Sequence, residues 1–208
     1  IEQFIHQVDF YDLNKQCHKS LRRQSCEFAY RDSVFKNDLA DKVVITSVTF
    51  AIPKIWQAVE HYGELRELSE PSAMDIFNKV IEVRQSKLPD PKKIGNAGSF
   101  FKNPIISLEQ FHLLQKTWPS MPSYALDNIA KVKVPAAWLI DTLGFKGKKI
   151  GGIACHPNQP LVLTNDGSGT GEELLALARS IQSAVSKEFS IELENEVRLI
   201  GKNGPVVL

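Results

Sequence analysis

The chain has 208 residues, of which 43% are apolar and 24% charged, and its net charge is +1. That length allows one large domain or two small ones, and the balance is that of an ordinary globular chain. Near-neutral charge excludes a bulk electrostatic footprint for nucleic acid, so an anionic ligand would have to be met by a local cluster of cations.

Three cysteines, Cys17, Cys26 and Cys155, are an odd number at spacings that match neither a zinc pattern nor a disulfide framework. A reducing cytoplasm is the expectation. No apolar run reaches the length of a membrane span, and no stretch reads as a secretory signal. Neither nucleic acid nor membrane is expected as a partner. Ile1 falls in the middle of what reads as a strand, so the chain is expected to be a portion of something longer.

Residues 1–13 are a β-rich run carrying Phe4, Val8 and Phe10, and Asn14-Lys15 reads as a hairpin turn. A short polar link, Leu21 to Tyr30, leads to the polar-aromatic segment Tyr30-Arg31-Asp32-Ser33-Val34-Phe35-Lys36. Val43 to Ile52 is the clearest strand, β-branched, alternating in its second half and stopped by Pro53. His61 to Leu65 is expected as a loop. Ser72 is placed to cap a helix over 73–86, where Ile76, Val80 and Val83 follow helical spacing. Lys87-Leu88-Pro89-Asp90-Pro91-Lys92-Lys93 then breaks regular structure. Its two prolines make a stiff linker and the expected domain boundary.

Beyond the linker, Ser107 caps a helix with Leu108, Phe111 and Leu114 on one face. Pro135 opens a helix over Ala136–Leu143 that stops before Gly144. Pro160 to Thr164 reads as a short buried strand. Gly171 to Glu188 is a long amphipathic helix with Leu174, Leu177, Ala178, Ile181 and Val185 on its inner stripe. A final strand, Ile191 to Ile200, sets Ile191, Leu193, Asn195 and Val197 against charged neighbours. No repeat or low-complexity tract interrupts this pattern. It is α+β in two lobes, the second at about residues 89–190.

One segment is richer than a turn requires. In Gly95-Asn96-Ala97-Gly98-Ser99-Phe100-Phe101-Lys102-Asn103-Pro104, two glycines permit close backbone approach to a ligand, and Ser99 supplies a hydroxyl that can carry a proton. Phe100 and Phe101 can exclude water there, while Lys102 and Asn103 offer donors. The plain alternative is a surface turn beside an apolar anchor.

Other segments hold weaker signals. Tyr30-Arg31-Asp32 sets an arginine between an aromatic and a carboxylate, in a stretch apolar enough to be half-buried. It reads as a structural ion pair or as a fixed guanidinium for a carboxylate or enolate. Glu192, Glu194 and Glu196 alternate on one face of the last strand, usually a solvated face. Glu196, nearest the strand centre, could instead act as a general acid or hydrogen-bond donor. Lysines 87, 92, 93, 102, 131, 133, 146, 148 and 149 flank the glycine-rich or proline-bounded loops of the second lobe, suiting either solubility or a diphosphate. Neither GxxxxGK[ST] nor GxGxxG occurs. His156-Pro157-Asn158-Gln159 ends in an amide that could read a sugar, or is simply a turn. The five histidines stand alone, which argues against a metal site, and Ser99 lacks the G-x-S-x-G elbow of a serine hydrolase.

Taken in order, these segments resemble the UDP-N-acetylenolpyruvoylglucosamine reductase family. The resemblance rests on Tyr30-Arg31-Asp32-Ser33-x-Phe35-Lys36, Tyr62-Gly63-x-Leu65, Lys87-Leu88-Pro89-Asp90-Pro91, the Gly95–Pro104 segment, Ala136-x-Trp138-Leu139-Ile140-Asp141 and Leu193-Glu194-x-Glu196-Val197-Arg198-x-Ile200-Gly201. It runs nearly end to end, with Asn195 where the family commonly has a proline.

The resemblance implies an FAD-dependent enzyme that uses NADPH to reduce the enolpyruvyl group of UDP-N-acetylglucosamine enolpyruvate, giving UDP-N-acetylmuramate for peptidoglycan. It implies that Ser99 protonates the substrate carbanion while Arg31 and Glu196 stabilise the enolate-like charge. Tyr62, Lys87, Asn103, Tyr124, Lys133, Lys146 and Gln159 are the implied substrate contacts. The Tyr62 loop resembles the branch of the family in which a tyrosine loop folds over substrate. Residues 1–88 would end an α+β flavin-binding domain, 89–190 would form an α+β substrate lobe, and 191–208 would return to the first domain with Glu196. Most cofactor contacts would then lie in an N-terminal portion outside this chain. The alternative is a non-catalytic UDP-sugar-binding module.

Overall fold

In the computed structural model, which describes residues 1–58, 63–126 and 130–208, the alternation at the start of the chain folds as β1 (Ile5–Asp12). Val8 and Phe10 face inward, and the expected turn at Asn14-Lys15 leads to β2 (Cys17–Arg22). The turn closes on Asp12, whose Oδ1 accepts the N–H groups of Asn14 and Lys15 at 3.0 and 2.9 Å. Lys19 Nζ donates to Oδ2 at 2.6 Å, and chiefly that bond holds the Asp12 carboxyl below its usual range. The β-branched run folds as β3 (Val43–Phe50), antiparallel to β1, giving a three-stranded sheet in the order β2-β1-β3. Two short 3₁₀ segments, Arg23–Cys26 and Val34–Lys36, contribute buried Cys26 and Val34, and Phe35 meets Phe10 edge to face.

Contacts divide the chain into two compact units, Ile1–Val59 and Glu60–Leu208. The second opens with α1 (Ala73–Lys87), started by a capping box between Ser72 and Asp75. Its predicted spacing holds, yet the helix has no buried residue. β4 (Gly95–Ser99) follows, then β5 (Ile105–Ser107), α2 (Leu108–Thr117) capped by Ser107, β6 (Tyr124–Ala125) and β7 (Lys131–Lys133). After α3 (Ala136–Thr142) come β8 (Lys149–Ile150), β9 (Ile153–Cys155), β10 (Val162–Asn165) and α4 (Gly171–Phe189). The chain closes with β11 (Leu199–Gly201) and β12 (Gly204–Val206).

Two antiparallel sheets, β4-β10-β9-β8 and β5-β7-β6, and helices α2 to α4 enclose one apolar core. The inner stripe of α4 buries Leu177, Ala178, Ile181, Val185 and Phe189, while α3 adds Ala136, Leu139 and Ile140. Each fully buried aliphatic side chain contributes roughly 1.5–3 kcal/mol, so this stripe anchors the unit.

Three expectations change. The glycine-rich segment is a strand, not a loop, because β10 supplies backbone partners along its length. The last segment is not one strand from Ile191 to Ile200: Asn195 forms an isolated bridge, and regular pairing resumes only in the β11-β12 hairpin. Burial in the Tyr30–Lys36 segment falls on Ser33 and Val34, leaving Arg31 and Asp32 exposed. Asp32 Oδ1 accepts from the Ser33 N–H and from Asn37 Nδ2.

All three cysteines are free, with Cys17 exposed and the other two buried. Burial, reinforced by the charge of Asp141, pushes the Cys155 thiol up to about 11, and burial also raises Cys26. Labelling at pH 8 with a maleimide is therefore expected to modify Cys17 alone in the native chain. Rapid native labelling of Cys155, read by peptide mass spectrometry, would contradict this packing.

Candidate active site

Ser99 ends β4, and the strand reaches it through an irregular step. Val162 pairs with Ser99 and Thr164 with Asn96, so Ala97 and Gly98 together oppose one residue. This is a β-bulge, and Gly98 at φ +77° takes the left-handed conformation that it needs. The bulge turns the strand immediately before the serine. Ser99 is half-buried, and its hydroxyl has no hydrogen-bond partner among the described residues. Phe100 and Phe101 pack behind it, 4.9 Å apart between ring centroids and almost wholly buried.

Glu196 arrives on the neighbouring segment. The Lys102 N–H donates to the Glu194 carbonyl at 2.8 Å, and the Glu196 N–H donates to the Phe100 carbonyl at 2.7 Å. These two bonds flank the antiparallel bridge Phe101–Asn195. They place the Ser99 strand and the Glu196 segment side by side. Glu192 and Glu194 are exposed, whereas Glu196 is half-buried. Lys102 Nζ pairs with Glu194 at 2.6 Å, and Asn195 Nδ2 donates to the Val197 carbonyl at 2.6 Å. The exposed ion pair is worth at most about 1 kcal/mol. Ile191 and Leu193, both in the core, contribute more to holding the segment.

An open pocket of about 360 Å³ borders both strands. Gly95 to Gly98 form one wall, Phe100, Ile153, Leu163, Leu174 and Val197 supply apolar surface, and Arg198 stands at its margin. Asn96 and Asn165 also line it, but their side chains are engaged with their own turns. Arg198 pairs with no carboxylate among the described residues. A largely apolar group carrying a hydrogen-bond acceptor suits this lining. Arg198 belongs to the Leu193–Gly201 motif, but its position beside the pocket depends on the bridge and has no signature in spacing.

The remaining sequence-derived residues are distributed as follows. Arg31, in the first unit, has φ +56° in a turn closed by reciprocal backbone bonds between Ala29 and Asp32. Lys133 and Tyr124 face one another across β7 and β6, with Lys133 Nζ 5.4 Å from the Tyr124 ring centroid. Ile105 pairs with Lys133 in the same sheet, so Asn103 precedes that row by two residues. Asn103 Oδ1 accepts the Ala136 N–H at 2.9 Å, fixing the start of α3. Lys146 pairs with Asp141 at 2.6 Å. Lys87 bonds Glu64, and chiefly that bond holds the Glu64 carboxyl below its usual range. Gln159 is half-buried in the turn before β10, its N–H donating to His156 Nδ1 at 3.1 Å. Tyr62 lies outside the described residues. Among the described residues no cluster suits a metal ion, and no helix is long and apolar enough to cross a membrane.

Fold and site together define an α+β chain in which a serine-bearing strand and a glutamate-bearing segment share a backbone ladder beside a pocket. The family model for UDP-N-acetylenolpyruvoylglucosamine reductase, C-terminal domain, matches residues 90–200, more than half of the chain. The UDP-N-acetylenolpyruvoylglucosamine reductase of Pseudoalteromonas atlantica is 59% identical over 208 residues, covering 100% of this chain and 60% of the relative. That of Idiomarina loihiensis is 47% identical over 210 residues, covering 100% and 62%. The crystal structure of the Thermus caldophilus UDP-N-acetylenolpyruvylglucosamine reductase matches with a TM-score of 0.55 at 21% identity, covering 94% of this chain and 53% of that one, and supports the fold. The chain belongs to the UDP-N-acetylenolpyruvoylglucosamine reductase family, within which it matches the C-terminal domain. It spans about 60% of the length of these curated relatives.

The ladder also accounts for residue 195. The Asn195 N–H donates to neither carbonyl of the bridge, whereas the Glu196 N–H does. Asn195→Pro is expected to cost less than about 1 kcal/mol, because no ladder donor is lost. Glu196→Pro removes a donor and should cost about 1–3 kcal/mol in urea unfolding. Equal costs for the two would contradict the register.

Proposed function

We propose that this chain supplies the substrate side of an NADPH- and FAD-dependent reduction of UDP-N-acetylglucosamine enolpyruvate to UDP-N-acetylmuramate, a cytoplasmic step of peptidoglycan synthesis. The observation that carries the proposal is the ladder that sets Ser99 and Glu196 on adjacent backbones beside an open pocket. Family membership supports the reductase class.

In this reading residues 1–88 end the flavin-binding domain, 89–190 bind substrate, and 191–208 return with Glu196. Gly95 to Gly98 and Arg198 are the residues of this chain that would border the flavin ring, since the pocket lining is largely apolar with one cation for an acceptor. FAD, when bound, supplies the hydride drawn from NADPH. The Ser99 hydroxyl, unengaged and half-buried, delivers a proton to the substrate carbon next to the carboxylate. Glu196, half-buried, and Arg31 hold the charge that develops on that carboxylate. Lys133 with Tyr124, Lys146, Lys87, Gln159 and Tyr62 serve the UDP-sugar. Asn103 keeps a second role, because its Oδ1 already fixes α3.

The test is Ser99→Ala in the chain complemented with the flavin-binding portion of a relative. Reduction of FAD by NADPH is expected to persist, while turnover of the enolpyruvyl substrate falls about 10²–10⁴-fold. Unchanged turnover removes Ser99 from the chemistry. The alternative, a non-catalytic UDP-sugar-binding module, is favoured if the complemented pair binds FAD and the UDP-sugar by calorimetry yet never oxidises NADPH.

A further inference from the structure

A β-bulge leaves its extra residue without a ladder partner, and a backbone N–H so released needs another acceptor. At the bulge before Ser99 the Asn96 side chain supplies it: Oδ1 accepts the Gly98 N–H at 3.1 Å. The other end of the same amide is also engaged. Asn96 Nδ2 donates to the Ile94 carbonyl at 2.9 Å and to the Pro89 carbonyl at 3.1 Å. The residue is half-buried, at a strand position paired with Thr164.

These three bonds fix both the residue type and the orientation of the amide. One acceptor faces an N–H and two donors face carbonyls, so a flipped amide would set like against like at all three. Aspartate has the acceptor without the donors, and serine has a single hydroxyl. The far partner extends the reach of the side chain. Pro89 stands seven residues before Asn96 and directly follows Leu88, the residue that caps α1 after Lys87. Between them the Asp90 carbonyl accepts the N–H groups of Lys93 and Ile94 at 2.9 and 3.0 Å, folding 90–94 into a turn. One side chain thus joins the exit of α1, that turn and the bulge.

We propose that Asn96 is the positioning residue of the Ser99 strand: its acceptor sets the bulge that presents the serine, and its donors moor that bulge to the turn at 89–94. That Ser99 delivers a proton rests on the function proposed above, whereas the mooring rests on the geometry alone. Asn96 itself touches no reacting atom in this account. It acts through the backbone of Gly98 and Ser99.

The test uses Asn96→Ala and Asn96→Asp, with Asn165→Ala as a control for exchange. Asn165 lines the same pocket, but its amide serves Gly167 and Gly169 in the turn before α4. In the chain alone, Asn96→Ala should speed hydrogen exchange of the Gly98 amide about fivefold, with the Glu196 amide unchanged. Asn165→Ala should leave the Gly98 amide as it was. In the chain complemented with the flavin-binding portion of a relative, Asn96→Ala should leave reduction of FAD by NADPH within about twofold and slow reoxidation by the enolpyruvyl substrate about 10–100-fold. Asn96→Asp should be slow near pH 7, where a carboxylate faces two carbonyls. Its rate relative to the unmodified pair should rise as the pH falls to about 5, because a protonated carboxyl regains a donor. Three results overturn the proposal: Gly98 exchange unmoved by Asn96→Ala, equal slowing of both half-reactions or of neither, or a relative rate for Asn96→Asp that is flat with pH. If the unmodified pair turns over no substrate, the functional reading fails, and the exchange result alone still decides whether Asn96 holds the bulge.

Discussion

The pair of backbone hydrogen bonds between Phe100–Lys102 and Glu194–Glu196 is the constraint on which the site depends. Side chains on an extended segment alternate with a period of two, so a slip of one residue would send Glu196 to the opposite face. Several contacts oppose such a slip. Ile191 and Leu193 enter the core on alternate positions, and Gln182 on α4 donates to the Leu193 carbonyl at 2.7 Å. Two buried side chains at roughly 1.5–3 kcal/mol each outweigh an exposed Lys102–Glu194 pair worth about 1 kcal/mol or less. The apolar anchors hold the segment, and the ion pair and the Asn195 side chain trim its register.

The serine strand is set by a different device. The bulge at Ala97-Gly98 breaks the β4-β10 register one step before Ser99, and Phe100 and Phe101 then fix the backbone from the core side. A half-buried hydroxyl without a partner thus stands on a backbone held rigidly from both ends. That combination suits a proton donor, which must keep its position while its proton leaves. Gly98 is the weak point of the device, since a side chain there would have to adopt φ near +77°.

Much of this was legible in the sequence, for physical reasons that differ between elements. Helix α1 follows from its Ser72 cap and α4 from the helical recurrence of its apolar positions, whereas the Thr170 capping box that starts α4 was not read from the sequence. β3 follows from β-branching. β4 was hidden, because a glycine-rich strand has no alternation to read and is defined only by its partner β10. The β11-β12 hairpin was hidden by reading the charged alternation as one continuous strand from Ile191 to Ile200. At the site, motif resemblance named Ser99 and Glu196. Their shared ladder is a contact between residues almost a hundred positions apart and has no local signature. The burial expected of Arg31 failed because the turn at 29–32 carries it outward.

The most direct test of this arrangement is a nuclear Overhauser measurement on the isotopically labelled chain. In an antiparallel bridge flanked by these two hydrogen bonds, the opposed α-carbons lie about 4.5 Å apart, close enough for their α-protons to be in strong contact. The account predicts a strong cross-peak between the α-protons of Phe101 and Asn195. A cross-peak from Phe101 to Glu194 or Glu196 in its place would put the segment in another register and would contradict the placement of Glu196 beside the serine strand.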